Sequence, residues 1–469
     1  MERVATTFRD DLERVGRWID EYFAYPERFR VLPAVRPGEV IAALPESAPE
    51  AGESFDRIMD DFERIVVPAT THWNHPRFFA YFATSAAPAA IAAEALAATI
   101  DVKAMLWRTS PAATELEQVT MRWLAQLMGL PDGWTGIIYD TASVAGFTAM
   151  AAAREALDLG IRERGMSGRD VPALRIYITD QTHSHIEKAA IALGVGQANV
   201  VRVPCDAEFR MRPDALASRI RSDVAAGMRP MAIVATAGTT STTSTDPVRE
   251  IARIAREHRA WLHVDAAYAG VAAIVPEFRW LLDGIECADS LVVNPHKWMF
   301  VPMDCSALYL KDEASVRRAF RLTPEFILTG GENDVVNYME YGIQLGRRFR
   351  ALKLWFVLRS LGAEGIRAKL RQHIALAQEF ASWVRGEPGW EVLAPHPLSA
   401  VCFRSTSVDN ERLMEAVNDT GEIFISHTKI DGVYALRLAI GNLRTQREDV
   451  EAAWSVLRRE AAKLEHAVV

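Results

Sequence analysis

The sequence predicts an α/β fold, in which a mainly parallel sheet is flanked by helices, with a small C-terminal α+β domain and an N-terminal helical segment. Three observations predict it. Six short apolar runs, "TGIIY", "LRIYIT", "NVVRVP", "MAIVATA", "WLHVDAA" and "SLVVNP", each fit a buried strand. Amphipathic helical patterns separate most of them: "SVAGFTAMAAAREAL", "SHIEKAAIALG", "RPDALASRIRSDVAAG" and "PVREIARIAREH". Strand and helix alternating at this spacing build βαβ units with a sheet covered on both faces. Finally, the chain has 469 residues, 49% of them hydrophobic and 24% charged, enough apolar material for a large core.

The elements follow in order. Phe8, Leu12, Val15, Ile19 and Phe23 recur at helical spacing, so the chain opens on an amphipathic helix. "YPERFRVLPAVRPGEVIAALPESAPE" is punctuated by proline and reads as an extended connector. "SFDRIMDDFERIVVPA" is a second helix with Ser54 as its N-cap. These first residues, 1–85, are too thin to form a core and must pack on another body, a second copy of the chain included. Residues 86–360 carry two alanine-rich helices and then the strand–helix alternation. A long helical stretch begins after residue 345, with Gly362 and Gly365 expected to break it. Residues 361–469 add two or three strands and two helices; the last helix is expected to start at Thr445 with Glu448 completing a capping box.

Composition excludes several function classes. The net charge of −8 argues against nucleic acid or an anionic membrane as the main partner. Four cysteines, Cys205, Cys287, Cys305 and Cys402, lie far apart without a CxxC pair, which speaks against a zinc site or a disulfide framework; no metal is expected. The stretch "MERVATTFRDDLERV" lacks a signal-peptide core, and "SAAPAAIAAEALAATID" is too weakly apolar to span a bilayer. The expectation is a soluble cytoplasmic protein. No G-x-G-x-x-G or Walker loop follows any strand, so a nucleotide is not the ligand.

Ligands of a parallel αβ sheet sit beyond the carboxyl ends of its strands. Here those ends carry chemistry: "WLHVD" ends in Asp265, "SLVVNPHK" in Asn294, His296 and Lys297, "RIYITDQTHSH" in His183, and "GIIYDTAS" in Thr141 and Ser143 at a helix start. A hydroxyl run including Thr239 and Thr240 follows "IVATAG". A strand-end lysine is often only a snorkelling side chain. Alternatively it is a Schiff-base lysine, and Asp265 one crossover earlier favours that reading. A buried carboxylate needs a partner, and a pyridinium nitrogen is one, so lysine and aspartate together suit pyridoxal phosphate (PLP). Its phosphate would take backbone amides and hydroxyls at a helix N-terminus, although Ser143 could equally be a simple N-cap and 239–245 a polar loop. His183 could stack on the ring, and Ala266-Ala267 would leave room opposite.

With "HVDAAYAG" followed by "NPHKW", the chain resembles the group II PLP-dependent decarboxylases, in particular the aromatic L-amino acid decarboxylase family, which includes DOPA, tryptophan and tyrosine decarboxylases. The resemblance extends in order through "THWNHPRFFAYFAT", "SPAATELE", "DQTHSHIEKA", "ATAGTTSTTS", "PEFRWLLDGIECADS" and "LGRRFRALKLWFVLR". It implies a fold-type I PLP-dependent enzyme, a homodimer with its active site at the interface, acting on a small-molecule amino acid. By motif position, it implies Lys297 as the Schiff-base lysine, Asp265 at the pyridine nitrogen, His183 stacking and catalytic, and Ala267 on the other ring face. Thr141, Ala142, Ser143 and Asn294 would hold the phosphate, with Thr240 near the cofactor. His296 and Thr84 would neighbour the substrate carboxylate, and Tyr81 and Phe82 would line the side-chain pocket.

The chain departs from the family pattern in places. Phe326 in "RLTPEFILTGGEND" stands where the mobile-loop tyrosine protonates the substrate carbon. In plant relatives a phenylalanine there accompanies aldehyde synthesis with O₂, so an aromatic acetaldehyde synthase is the alternative activity; His183 is kept where insect aldehyde synthases carry asparagine. Lys103 and Met105 replace apolar residues that reach the partner's pocket, which leaves open a non-aromatic substrate or a lysine simply directed to solvent. Ala83 replaces a proline, and Gly346 matches the smaller residue that accompanies indolic substrates.

Overall fold

Successive apolar runs joined by helical crossovers build a seven-stranded sheet. The structure, a computed structural model, describes residues 7–322 and 335–466. Its strands are β1 (Thr135–Tyr139), β2 (Leu174–Ile178), β3 (Val200–Arg202), β4 (Arg229–Thr236), β5 (Trp261–Asp265), β6 (Ser290–Val293) and β7 (Ser306–Leu310), in the order β1-β7-β6-β5-β4-β2-β3. The pairs β2/β3, β2/β4, β4/β5 and β5/β6 are parallel. β2, β5, β6 and β7 are buried along their whole length, as a sheet covered on both faces requires.

The six expected strands all form, and β7 is an addition. Only the one-turn helix Pro295–Trp298 separates it from β6, too short to signal a crossover; it pairs antiparallel with both β6 and β1. That double reversal restores β1 to the direction of the parallel strands. Tyr139 at the end of β1 therefore lies opposite Ser306, on the same sheet edge as Asp265 and Val293. All the chemistry-bearing strand ends are gathered there.

The helix Ala142–Glu155 packs against the sheet through Ala145, Ala149, Ala152 and Ala153, which are buried with Ile137, Ile176 and Val292 in one cluster. Small side chains allow this close approach. The chain divides into two units, one of residues 84–379 and 394–402, the other of 1–83, 380–393 and 403–469. The N-terminal segment thus shares a unit with C-terminal residues: the Val31 amide donates to Gly421 and the Phe79 amide to Phe424. The first helix, Phe8–Ala24, buries none of its residues. A second sheet orders its strands β10 (Ser426–Ile430), β11 (Val433–Ala439), β9 (Ala400–Ser405) and β8 (Trp390–Val392).

Local signals fared unevenly. Ser54 caps the helix at Phe55–Asp61, accepting from the Arg57 amide at 3.4 Å. The expected connector contains a short helix, Glu39–Ala43. Gly362 breaks the long helix Arg350–Gly386, with φ 62° and ψ 174°, whereas Gly365 stays helical. The capping box at Thr445 and Glu448 is not formed. The last helix starts at Arg447, Asp449 accepts from the Gln446 amide at 3.0 Å, and the Thr445 hydroxyl donates to Pro76 instead.

Candidate active site

The site grows from two adjacent strand ends. β5 ends in Asp265, which is only 5% exposed. The chain turns at once, and the Ala267 amide donates to the Asp265 carboxylate at 3.0 Å. β6 ends at Val293, and Asn294-Pro295 starts the one-turn helix Pro295–Trp298, as proline at the first helical position favours. The Asn294 amide donates to the Ala267 carbonyl at 2.9 Å, tying the two turns together. The Lys297 amide donates to the Asn294 carbonyl at 2.9 Å. Lys297 therefore leaves a backbone that is fixed relative to Asp265.

The two side chains interact electrostatically. Burial alone would raise the Asp265 carboxyl, but His185, Lys297, the Ala267 amide and His263 together outweigh it, and the net shift is downward. Asp265 is thus a buried anion at neutral pH. Asn294 is oriented by the Ser306 hydroxyl, which donates to its Oδ1 at 2.6 Å and leaves the amide NH₂ as the donating end. His296 is 3% exposed, and its Nδ1 accepts from the Cys305 amide at 2.9 Å. Burial, with Lys297 adding to it, drives its pKa down to about 3, so the ring is neutral with its proton on Nε2.

A tight turn presents His183 after β2. The Thr179 amide donates to the Thr182 hydroxyl at 3.0 Å, and the Gln181 amide donates to the Thr179 hydroxyl at 3.2 Å. His183 is largely exposed, yet partial desolvation lowers its pKa, with Lys297 and Lys188 helping and Asp265 opposing. His183, Asp265 and Lys297 therefore share one electrostatic environment.

After β1 the helix Ala142–Glu155 begins, with Thr141 as N-cap and no side chain capping its first turn. Ser143 is thus the second helical residue and not the cap. The Thr141 hydroxyl donates to Asp140 at 3.1 Å, and Gln344 donates to the other Asp140 oxygen at 3.0 Å. The first-turn amides and the positive end of the helix suit an anion. In the hydroxyl run, Thr239, Thr242 and Ser244 bond one another at 2.9 and 2.8 Å, while Thr240 is exposed.

Other expected residues are placed more loosely. Thr84 is half-buried, Lys103 exposed and Met105 half-buried, its carbonyl accepting from the Met339 amide at 3.1 Å. Gly346 is exposed, and a Cβ there would meet nothing within 4 Å. Tyr81 and Phe82 belong to the other unit. There Tyr81, at φ 50°, stacks on Trp73 at 5.7 Å, and Arg437 lies 4.5 Å over the Phe82 ring. Phe326 lies outside the described residues.

The sequence reading missed His185 and His263, both buried beside Asp265. The "THSH" doublet was the available signal for His185; nothing in "WLHVD" set His263 apart from an ordinary strand residue.

The donor set fits PLP. A buried anion, a neighbouring lysine, an uncapped helix start and a small residue at 267 meet the needs of its ring nitrogen, aldehyde, phosphate and ring face. The Thr236 hydroxyl, beside Asp265 in register, is buried with no hydrogen-bond partner among the described residues, as a site built for a further polar group allows.

Comparison with known proteins decides the family. Residues 37–406 match the family model described as "Pyridoxal-dependent decarboxylase conserved domain". The chain belongs to the pyridoxal-dependent decarboxylase family. A tryptophan decarboxylase of Camptotheca acuminata is 39% identical to it, over 97% of this chain and 95% of that one. A phenylacetaldehyde synthase of Arabidopsis thaliana is 38% identical, over 96% and 94%. The solved structure of the Catharanthus roseus tryptophan decarboxylase in complex with L-tryptophan superposes with a TM-score of 0.92 at 36% identity, covering 99% of this chain and 100% of that one. The decarboxylase thus has the expected fold of the PLP-dependent enzymes, and its cofactor is pyridoxal phosphate. No described helix of the decarboxylase is long and apolar enough to cross a membrane.

Proposed function

We propose that this decarboxylase releases CO₂ from an aromatic L-amino acid and leaves the arylalkylamine. The observation that carries the reading is the electrostatic pairing of Lys297 with a fully buried, ionised Asp265 at the ends of adjacent parallel strands. Relatives that are tryptophan, tyrosine and aromatic-L-amino-acid decarboxylases support the substrate class.

When bound, PLP supplies an electron sink for the bond to the departing carboxyl group. Lys297 would hold the cofactor's aldehyde carbon through its side-chain nitrogen. Asp265 keeps a proton on the ring nitrogen, and its burial makes that charge effective. By their motif positions, His183 would stack on the cofactor ring and Ala267 would leave room for it on the opposite side. The first-turn amides of Ala142 and Ser143, together with Thr141 and the Asn294 NH₂, would hold the phosphate, with Thr240 near the cofactor. Thr84 and neutral His296 would bind and orient the substrate carboxylate. The substrate-binding roles of Tyr81, Phe82, Lys103, Met105 and Gly346 rest on their motif positions.

The working form in this proposal is a cytoplasmic homodimer. Ile100, Met303, Ile343 and Leu345 are at least 60% exposed, apolar side chains that a second copy would cover. The four cysteines are free thiols, in keeping with a reducing compartment.

One feature favours a second reading. By the resemblance, Phe326 stands at the motif position of the family's proton-donating tyrosine and lacks its hydroxyl, and an aldehyde synthase is among the relatives. In that reaction the amino acid, O₂ and water give aldehyde, CO₂, ammonia and hydrogen peroxide in equal amounts. A product-resolved assay of tryptophan, tyrosine, DOPA and phenylalanine, with O₂ uptake followed, tests both. Amine equal to CO₂ without O₂ uptake is the expected result. Peroxide equal to CO₂ establishes the second reading, and no CO₂ from any of the four overturns the aromatic assignment.

A further inference from the structure

His185 is buried, 3% exposed, and opens the helix His185–Ala192 two residues after His183. Its Nδ1 lies 3.1 Å from His183 Nδ1, the two rings tilted by 39° with centroids 5.3 Å apart. Between two imidazole nitrogens at this distance one carries a hydrogen and the other a lone pair. The backbone decides which. The His185 amide also donates to His183 Nδ1, at 3.3 Å. A nitrogen that accepts from an amide carries no proton of its own, so His183 Nδ1 is the acceptor in both contacts. His185 therefore donates from its Nδ1, and its Nε2 is bare.

Other facts fit that assignment. His185 Nε2 is buried and has no hydrogen-bond partner among the described residues, where an N–H in its place would be an unsatisfied donor. The ring is seated against Gly146, where a Cβ would come within 2.6 Å of Cδ2 and Nε2. The groups acting on His185 are Asp265, His183 and Lys297; His263 acts on Asp265 beside it; those acting on His183 are Asp265, Lys297 and Lys188. Burial holds the His185 pKa down to about 4, so the ring stays neutral through the working range.

We propose that His185 is a positioning residue that locks His183 in the tautomer bearing its proton on Nε2. This deepens the proposed function and rests on the reading of His183 as the ring-stacking, catalytic histidine. His185 touches neither cofactor nor substrate in this scheme. It occupies the lone pair on Nδ1, so that a proton cannot be taken up there without losing two hydrogen bonds, and the N–H of His183 is offered from Nε2 alone.

The test uses full-length protein with PLP bound, and in parallel without it, in three forms: wild type, His185→Leu and His185→Asn. Asparagine places an amide NH₂ near the position of Nδ1; leucine does not. Nitrogen-15 labelling of histidine reads the tautomer by NMR, and His183→Gln assigns the signal. The expected result is an Nε2–H signature for His183 in wild type and His185→Asn, and a mixture of tautomers in His185→Leu, where only the weaker backbone contact at 3.3 Å remains. In the leucine variant the acid limb of kcat/KM moves to higher pH by about one unit, because a lone pair held by the backbone amide alone is easier to protonate than one held by two donors. Its kcat/KM at neutral pH falls roughly fivefold, the scale of one net hydrogen bond, and asparagine restores most of it. An Nδ1–H signature for wild-type His183 overturns the proposal, as does a leucine variant with unchanged tautomer and pH profile. Should leucine prevent folding, the wild-type and asparagine spectra decide alone. The tautomer is read without substrate, so its failure is distinct from failure of the aromatic assignment.

Discussion

Arg347 and Glu117 form an ion pair at 2.7 Å with side chains only 4% and 2% exposed. The pair is knitted into the backbone. Glu117 also accepts from the Ile138 amide at 2.8 Å, and Arg347 donates to the Ile138 carbonyl at 2.7 Å and the Ala104 carbonyl at 3.0 Å. The Tyr338 ring lies 4.5 Å from its guanidinium. The helix Pro111–Met128, β1 and the segment around Ala104 are thereby clamped at the base of the Thr141 helix start. Removing one partner leaves the other charge buried and unpaired. Glu117→Ala is expected to cost about 3–5 kcal/mol, and Arg347→Lys to lose much of the clamp because an ammonium cannot reproduce the fork. Denaturant unfolding monitored by circular dichroism checks both; a change under about 1 kcal/mol for Glu117→Ala contradicts the account.

Asp265→Asn removes the anion and keeps the shape. The fold should survive, since a neutral amide is easier to bury than a carboxylate. kcat is expected to fall on the order of 10²–10³, the scale seen when one preorganised electrostatic group is deleted from an active site. Steady-state assays with matched PLP occupancy measure it. Borohydride should still fix the cofactor to Lys297 in Asp265→Asn and not in Lys297→Ala, which separates holding the cofactor from tuning it. Loss of fixation in Asp265→Asn would mean that Asp265 acts mainly in binding.

Two helical glycines should respond in opposite directions to alanine. A Cβ at Gly146 would come within 2.6 Å of the His185 ring, which is boxed in by burial. Overpacking of this kind costs about 1–3 kcal/mol, more than the helix propensity gained. Gly146→Ala is therefore expected to lower the melting temperature and reduce activity. A Cβ at Gly365 would meet only Leu361, at an ordinary 3.5 Å. Gly365→Ala is expected to stabilise by about 0.5–1 kcal/mol with activity unchanged. Thermal melts of the two variants side by side give the comparison.

How much of this was legible in the sequence depends on where the determining contact lies. β1 to β6 were legible because each apolar run is closed by polar residues and most are followed by an amphipathic crossover. β7 was not, because it reverses direction after a single helical turn and without an amphipathic crossover. Asp265 and Lys297 were legible because strand ends in parallel sheets carry function. Glu117 and Arg347 were not, since they stand 230 positions apart and only the folded chain joins them. Thr445 failed as a cap because its hydroxyl is taken by Pro76, a residue far away in sequence. His185 was visible as a letter, but its significance comes from burial against Gly146, which no periodicity encodes.

Buried neutral histidines make stability depend on pH with a definite sign. Burial pushes His75, His185 and His263 down to about 4 and His296 to about 3. In the unfolded chain each titrates near ~6.5. Between these values the unfolded state binds protons that the folded state refuses, so stability is full above about pH 6.5 and falls as pH drops towards about 4. Asp246 works the other way. Burial raises its carboxyl to about 6 although the Met211 and Thr236 amides donate to it, so the folded state gains a proton first and is favoured as pH falls below that point. Asp289, likewise raised by burial, acts in the same direction, and the two carboxyls offset only part of the histidines, since His72 and His183 are lowered as well. Below the carboxylate range the lowered Asp265 adds to the loss. Urea midpoints taken at pH 7.5, 6 and 5 should therefore decline steadily, and the decline should be shallower in His185→Asn, which removes one of these protons. A midpoint that stays level from pH 7.5 to 5 would mean that these rings titrate as in the unfolded chain.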